Sequence, residues 1–599
     1  MAYYSALVSA LDSHTPVQVG ENGHAEYGWS NDLREKIVQL SFQIVRTSEE
    51  GVKELGEQFY NIAFPLKNII SEDVSSSNGS SVSPSYHVKQ CEAEELLDML
   101  RRMVVQTRDI EAGKGEYSLG REFIRQWYRL YPAEALKMIK YYVTPIPQVT
   151  EDGVKQTHPY GSWKDIKFIW RVFGGEKCPA EVLGFLIRLV NDQLRSDLTS
   201  ETPSLVARWV SRESSSKKNA VPFKPFYHAL AEDYFSNYLA TARTPESRVK
   251  AQRKAYQHYR QQVLVPLNEK LRTPQMKQCA RDWASIDYAR DVTSITMRKQ
   301  TRAFMYKNKD GSTRGEDKDR LKAAENFEQF VNTAVEKGET IKGKRVGFDV
   351  IARDAWVLAG RSSDVSTETQ VQDLQWESML ELLGDLGDMV PMIDLSGSMA
   401  GTPMNAAMGI GLAVACKSRL GKRAMTFSAT PQWMNFDGCN KLSEMMSKMY
   451  GFRNSWGTNT NFTAALNMIL DKCVELKMPA ADVANIKLLI LSDMQIDYHC
   501  NEKITDTMWD NITQRYAEAG RRAVGEPYKP GHIIFWNLAH TDGFPVLSTT
   551  ANATMFSGFS PVLLNEFAKK GLEALQSETP YNQLQQQLAN ERYNIRDFA

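Results

Sequence analysis

Val390-Pro391-Met392-Ile393-Asp394-Leu395-Ser396-Gly397-Ser398-Met399 is the stretch that decides the fold of this 599-residue chain. An apolar run stops at an aspartate, and two hydroxyls follow at alternate positions around a glycine. A short parallel strand buried on both faces reads this way, with its polar groups displayed at the C-terminal end. Ligands of doubly wound α/β sheets bind at that end. Asp394, Ser396 and Ser398 offer only oxygen donors, which hard divalent cations such as Mg²⁺ prefer. The residues that follow, Gly397 to Pro403, read as a turn into a helix. For Asp394 taken alone, the simpler alternative is a turn and helix-cap residue.

Working outward, strands are expected at 389–393, 423–427, 486–491, 532–537 and near 553–556. Helices are expected at 403–419, 441–449, 462–477, 506–519 and 561–575. This alternation predicts a parallel sheet covered by helices. Residues 428–436 continue the second strand and suit an antiparallel edge hairpin.

Three pieces of this region carry a family resemblance. The D-x-S-x-S pattern of Asp394, Ser396 and Ser398 resembles the first metal-ion-dependent adhesion site (MIDAS) motif of von Willebrand factor A domains. Trp456-Gly457-Thr458-Asn459-Thr460-Asn461 resembles the family's threonine-bearing second loop. Leu488-Leu489-Ile490-Leu491-Ser492-Asp493 resembles the strand that ends in its third-loop aspartate. The resemblance implies that Asp394, Ser396, Ser398, Thr460 and Asp493 surround one Mg²⁺ or Mn²⁺, the aspartates in part through water. Thr458 competes with Thr460 for the threonine role, and the family pattern favours Thr460. By the same resemblance one coordination position stays open for an acidic side chain of a protein partner.

The N-terminal part reads differently. Residues 1–30 suggest an arm. From 31 to 385 one helical pattern follows another, which suggests an all-α, α-solenoid-like array. No clean repeat period marks it. A helix over 52–64 is expected to stop at Pro65, and one over 246–271 to kink at Pro266. Ser-rich residues 71–85 read as an insertion, 361–370 as a linker, 386–577 as the α/β A-like domain and 578–599 as a polar tail, either a loose end or a short docking segment. Gly161-Ser162-Trp163-Lys164-Asp165, Ala207-Arg208-Trp209-Val210-Ser211-Arg212-Glu213 and Ala280-Arg281-Asp282-Trp283-Ala284-Ser285-Ile286-Asp287-Tyr288 resemble motifs of an uncharacterised family. That family occurs in plants, fungi and large DNA viruses and places a helical region before a C-terminal A domain. The architecture also resembles the Ro autoantigen (TROVE) family, whose helical ring binds small RNAs.

Composition excludes several classes. Lys+Arg and Asp+Glu both number 72, so net charge announces no nucleic-acid partner. The seven cysteines are scattered without a C-x-x-C pair, which argues against a disulfide framework or zinc site. No apolar run approaches membrane-spanning length, and the first residues lack a signal-peptide pattern. An intracellular, cytoplasmic location is therefore expected. Leu-Ser-Gly-Ser is not a nucleophile elbow, no phosphate-loop motif exists, and His499, His532 and His540 have no evident catalytic partner. An enzyme is not expected. Basic clusters supply a rival function. They comprise Arg248, Lys250, Arg253, Lys254 and Arg260, then Arg208, Arg212, Lys217 and Lys218, then Arg298, Lys299 and Arg302. With interleaved aromatics they suit RNA, although long helices carry such charges simply as solvated faces. The expectation is a non-enzymatic interaction protein with a Mg²⁺-dependent MIDAS and a helical scaffold. The alternative is an RNA-binding protein that holds RNA on basic helices. The oligomeric state stays open.

Overall fold

The computed structural model of the chain describes residues 15–76, 84–150, 153–211, 223–308, 310–361, 366–457, 460–496, 507–560, 563 and 578–597. Residues 1–14, Thr458, Arg212, Lys217, Lys218, His499, most of the expected helix over 561–575, and parts of 71–85 and 361–370 lie outside these residues.

The first half is helical, and the exceptions are instructive. A hairpin of β1 (Val17–Val19) and β2 (Ala25–Tyr27) occupies the segment expected to be an arm. A second hairpin, β3 (Ile146–Thr150) with β4 (Gly153–Thr157), interrupts the helices. The helix expected to stop at Pro65 instead spans Glu49–Ser76, with Pro65 inside it. Leu55, Phe59, Ile62, Ala63 and Leu66 on that helix are all buried. It packs with helices Pro84–Arg108 and Tyr117–Leu130, each touching the other two. That burial outweighs the lost backbone hydrogen bond. The expected kink at Pro266 takes a definite form. Helix Pro245–His258 widens into a π-helical stretch, Tyr259–Leu264, before helix Val265–Lys270 resumes. The wider turn accommodates a proline that lacks an N–H.

The C-terminal half holds a six-stranded mixed sheet. Its strands are β5 (Met389–Asp394), β6 (Arg423–Phe427), β7 (Gln432–Asn435), β8 (Lys487–Ser492), β9 (Ile533–Asn537) and β10 (Ala553–Ser557). Their order is β10-β9-β8-β5-β6-β7. All neighbours are parallel except β6 and β7, the expected edge hairpin. Alternate residues feed two cores. Met392, Ile490 and Phe535 join a large apolar cluster that continues into the N-terminal helices. Ile393, Leu491 and Trp536 join a second cluster with helices Thr402–Lys417 and Phe348–Ala359. Helix Thr402–Lys417 is apolar nearly all round because it is covered on both sides. A Cβ on Gly411 would lie 2.6 Å from Ile393 of the sheet, and one on Gly409 2.3 Å from the Phe348 carbonyl of the outer helix. The paired glycines therefore serve close packing between layers.

Residues 15–45 and the C-terminal tail both cross between the two halves. Helix Leu33–Gln43 lies against β10. Asn537 at the end of β9 donates to the Phe42 carbonyl at 3.0 Å. Ser557 at the end of β10 donates to the Ser41 and Ile44 carbonyls. Lys114, fully buried, donates to both Ser41 O and Ser557 Oγ at 2.5 Å. Burial pushes its ammonium down to about 7. In the tail, helix Pro580–Leu588 buries Tyr581, Leu584 and Leu588, as a docking segment does. It contacts both Leu33–Gln43 and Pro84–Arg108. Among the described residues no helix is long and apolar enough to cross a membrane.

Candidate metal centre

Strand order locates the site before any side chain is considered. From β5 the chain moves to β6 and β7 on one side, then returns to β8, β9 and β10 on the other. The crevice beyond the ends of β5 and β8 is thus the switch point where doubly wound sheets bind ligands. Asp394 ends β5, and Ser492 ends β8 with Asp493 directly after it.

The site is built from short contacts. Asp394, Ser396 and Ser492 are fully buried, and Asp493 is 4% exposed. The Ser396 N–H donates to Asp394 Oδ1 at 2.9 Å, which folds the turn back on the strand end. Ser492 Oγ donates to Asp394 Oδ2 at 2.6 Å and accepts from the Met494 N–H at 3.0 Å. Ser396 Oγ and Ser398 Oγ lie 3.2 Å apart, and Ser398 also bonds Asp493. Gly397 and Ser398 are exposed and form the mouth. Met494 has φ +64°, a left-handed conformation uncommon for a side-chain-bearing residue, held by burial directly after Asp493.

Thr460 reaches the same end of the sheet from another loop. The Asn461 N–H donates to the Ser428 carbonyl just past β6, and Leu395 N–H donates to the last carbonyl of β6, that of Phe427. Thr460 is 1% exposed. All five expected site residues therefore come to adjacent strand ends. Asn461 caps helix Phe462–Glu475 through the Ala464 N–H, which fixes the loop that carries Thr460.

Electrostatics bears on whether a cation fits. Burial, and then the facing charge of Asp493, pushes the Asp394 carboxyl up to about 7. Burial raises Asp493 as well. The largest influences on the two carboxyls are burial, Asp493 acting on Asp394, and hydrogen bonds from serines and backbone N–H groups. Two buried carboxylates of raised proton affinity, beside converging hydroxyls, form an oxygen-only donor set. That set fits a hard divalent cation with retained waters. Among the described residues, no group of three or more His, Cys, Asp or Glu is gathered. A soft-metal site of nitrogen and sulfur ligands is not formed by these residues.

Ser492 is the site residue that sequence patterning passed over. It stood in view as the hydroxyl between an apolar strand and Asp493, yet nothing in the linear pattern pairs it with Asp394, 98 residues away. Ser492→Ala removes a donor to one buried oxygen and strands the Met494 N–H. A stability loss of about 1–3 kcal/mol is expected in urea unfolding.

The remaining candidates separate. Arg248, Lys250, Arg253, Lys254 and Arg260 are exposed on and just beyond helix Pro245–His258, away from the sheet's strand ends in sequence and in contacts. Arg208 is half-buried on the short helix Val206–Trp209. His532 is buried against Thr554 Oγ1 at 2.8 Å.

The comparisons with known proteins fit an uncharacterised family. Residues 388–597 match the family model described as a domain of unknown function, DUF7788. Residues 186–389 match that described as a domain of unknown function, DUF2828. The two matches meet at the start of β5. Uncharacterized protein L728 of Acanthamoeba polyphaga mimivirus is 23% identical over 481 residues, which is 77% of this chain and 75% of the viral one. These similarities extend to a large DNA virus, and none of the printed descriptions assigns an activity.

Proposed function

We propose that the chain is a non-enzymatic interaction protein whose A-like sheet presents Mg²⁺ or Mn²⁺ to a partner's acidic side chain. The observation that carries this is the convergence of Asp394 and Asp493 from neighbouring strands at the switch point, with Ser396 and Ser398 between them. Asp394, Ser396, Ser398, Thr460 and Asp493 would hold the cation, directly or through water. When bound, the cation supplies a positive charge with an open coordination position. The exposed turn at Gly397 and Ser398 leaves room for a partner's carboxylate. The serines support binding rather than nucleophilic catalysis: their hydroxyls engage each other and Asp493. The helical region would act as scaffold.

Thermal unfolding with Mg²⁺ or EDTA tests this proposal and has a defined pH dependence. A carboxyl whose folded pKa lies above its unfolded value keeps a proton that the unfolded chain releases. The cation-free protein therefore loses stability as pH rises from about 4 through about 7. A bound cation takes the proton's place, so stabilisation by Mg²⁺ should grow across the same window. The expected result is a larger Mg²⁺-induced rise in Tm above that window than below it, abolished in Asp394→Ala. A Tm that ignores Mg²⁺, Mn²⁺ and EDTA at every pH would sink the proposal.

A further inference from the structure

We propose that Lys164, Lys167 and Arg208, gathered beside the Trp209 indole, form together with the neighbouring Lys299 a binding site for single-stranded nucleic acid. This inference goes beyond the metal-dependent function and uses none of its residues.

The site assembles two sequence motifs from separate helices. Lys164 and Lys167 lie on helix Trp163–Val172, and Arg208 and Trp209 on Val206–Trp209. Lys164 Nζ is 5.7 Å and Lys167 Nζ 5.8 Å from the centre of the Trp209 ring. The Arg208 guanidinium is 5.6 Å from it. Lys167 also donates to the Trp209 carbonyl at 3.4 Å, which ties the helices together. Phe168 forms the floor, with Arg121 at 4.6 Å and the two lysines at 5.9 Å.

Lys164, Lys167 and Arg208 are half-buried. Burial lowers the proton affinity of Lys164, Lys167 and Arg208. Arg121, Lys299 and Arg108 depress Lys164 further. The carboxylate that acts on Lys164 is Asp165, and it is already committed to Arg108 at 2.7 Å and Arg121 at 2.6 Å. Among the described residues these half-buried charges have no carboxylate of their own, which is costly, and an arriving phosphate would offset that cost.

Lys299 extends the site. It lines a cleft of about 230 Å³ with Arg298, Arg302 and Arg361. There Arg298 pairs with Asp354 at 2.7 Å, and Arg302 and Arg361 share Glu368. Among the described residues four cations of the lining face two carboxylates, which leaves a positive balance there. A strand of phosphates can pass from Arg208 and the two lysines to Lys299, with a base against the half-exposed indole. Cations that track a backbone beside an aromatic platform are the chemistry that single strands use. A duplex hides its base faces and has no use for the indole.

The test is fluorescence anisotropy with the full chain and a labelled oligouridylate of about 16 nucleotides. Binding at low salt is expected, with affinity falling steeply as salt rises. The Lys164→Gln, Lys299→Gln double variant should weaken binding at least about tenfold. It should also flatten the log–log salt slope by about 1.4, for two lost phosphate contacts. Lys299→Glu alone, at an exposed position, should also weaken it, and Lys250→Gln with Arg253→Gln should leave it within about twofold. Unchanged thermal unfolding checks that each variant is folded. Three results overturn the proposal: no binding at low salt, equal binding by the Lys164 and Lys299 variants, or tighter binding of a duplex or phosphoserine peptide.

Discussion

Asp165→Ala is expected to cost about 3–5 kcal/mol of folding stability, because it strands two buried guanidinium groups at once. Asp165 and Arg108 are each 1% exposed at the side chain, and Arg121 is 9% exposed. Arg108 bonds one carboxylate oxygen at 2.7 Å, while Arg121 bonds the other through two nitrogens at 2.9 and 2.6 Å. Burial alone would raise the Asp165 carboxyl, yet the two arginines hold it below its ordinary value. The same carboxylate accepts from the Ser162 N–H and closes the capping box of helix Trp163–Val172. Alanine therefore removes a charge partner and a helix cap together. Urea unfolding should show the loss as a lower midpoint. Adding Arg108→Met and Arg121→Met should recover part of it, since an apolar replacement of a buried charge network is often tolerated. A loss below about 1 kcal/mol in Asp165→Ala would contradict this account.

Arg592→Ala should be about as damaging, and for a related reason. Arg592 forms a fork on buried Asp109, with Nε to Oδ2 at 2.8 Å and Nη2 to Oδ1 at 2.9 Å. It also donates to Thr157 Oγ1 and to the His158 carbonyl, so nearly every donor is used. Tyr593 donates to the same carboxylate at 3.2 Å. Removing the guanidinium leaves Asp109, 0% exposed, without its cation. The expected loss is about 3–5 kcal/mol by urea unfolding. Limited proteolysis should then release the C-terminal helix before the rest of the chain. A variant that resists protease as the parent does would show that helix Pro580–Leu588 holds by apolar packing alone.

What was legible in the sequence, and what was not, follows from how far each interaction reaches. β5, β6 and β8 announce themselves because their apolar runs and terminal polar residues are contiguous. Asp394, Ser396, Ser398, Thr460 and Asp493 were legible for the same reason, as three local patterns in register. The edge hairpin of β6 with β7 followed from adjacency. Interactions that depend on distant partners were hidden. Nothing near Arg592 shows that Asp109 awaits it, and the Gln-rich surroundings disguise the buried face of Tyr581, Leu584 and Leu588. Residues 15–30 have too few apolar positions to predict the hairpin, whose partner at Phe544 lies far along the chain. Pro65 gave a sound local stop signal that burial overrode. Charge density along the chain drew attention to Arg248, Lys250, Arg253, Lys254 and Arg260, which the structure leaves exposed on and just beyond one helix. Charge density in space instead gathers Arg208 with Lys164 and Lys167, which lie some forty residues earlier in the chain.

The strap formed by residues 15–45 sets a clock on the birth of this protein. Its hydrogen-bond partners, Asn537, Ser548 and Ser557, lie roughly 500 positions further along the chain. At translation rates of about 5–20 residues per second, the strap waits roughly 25–100 s for them. Through that interval Ile37, Leu40, Phe42 and Ile44, all buried at the end, have only part of their cover. Slower elongation would lengthen that exposure in direct proportion.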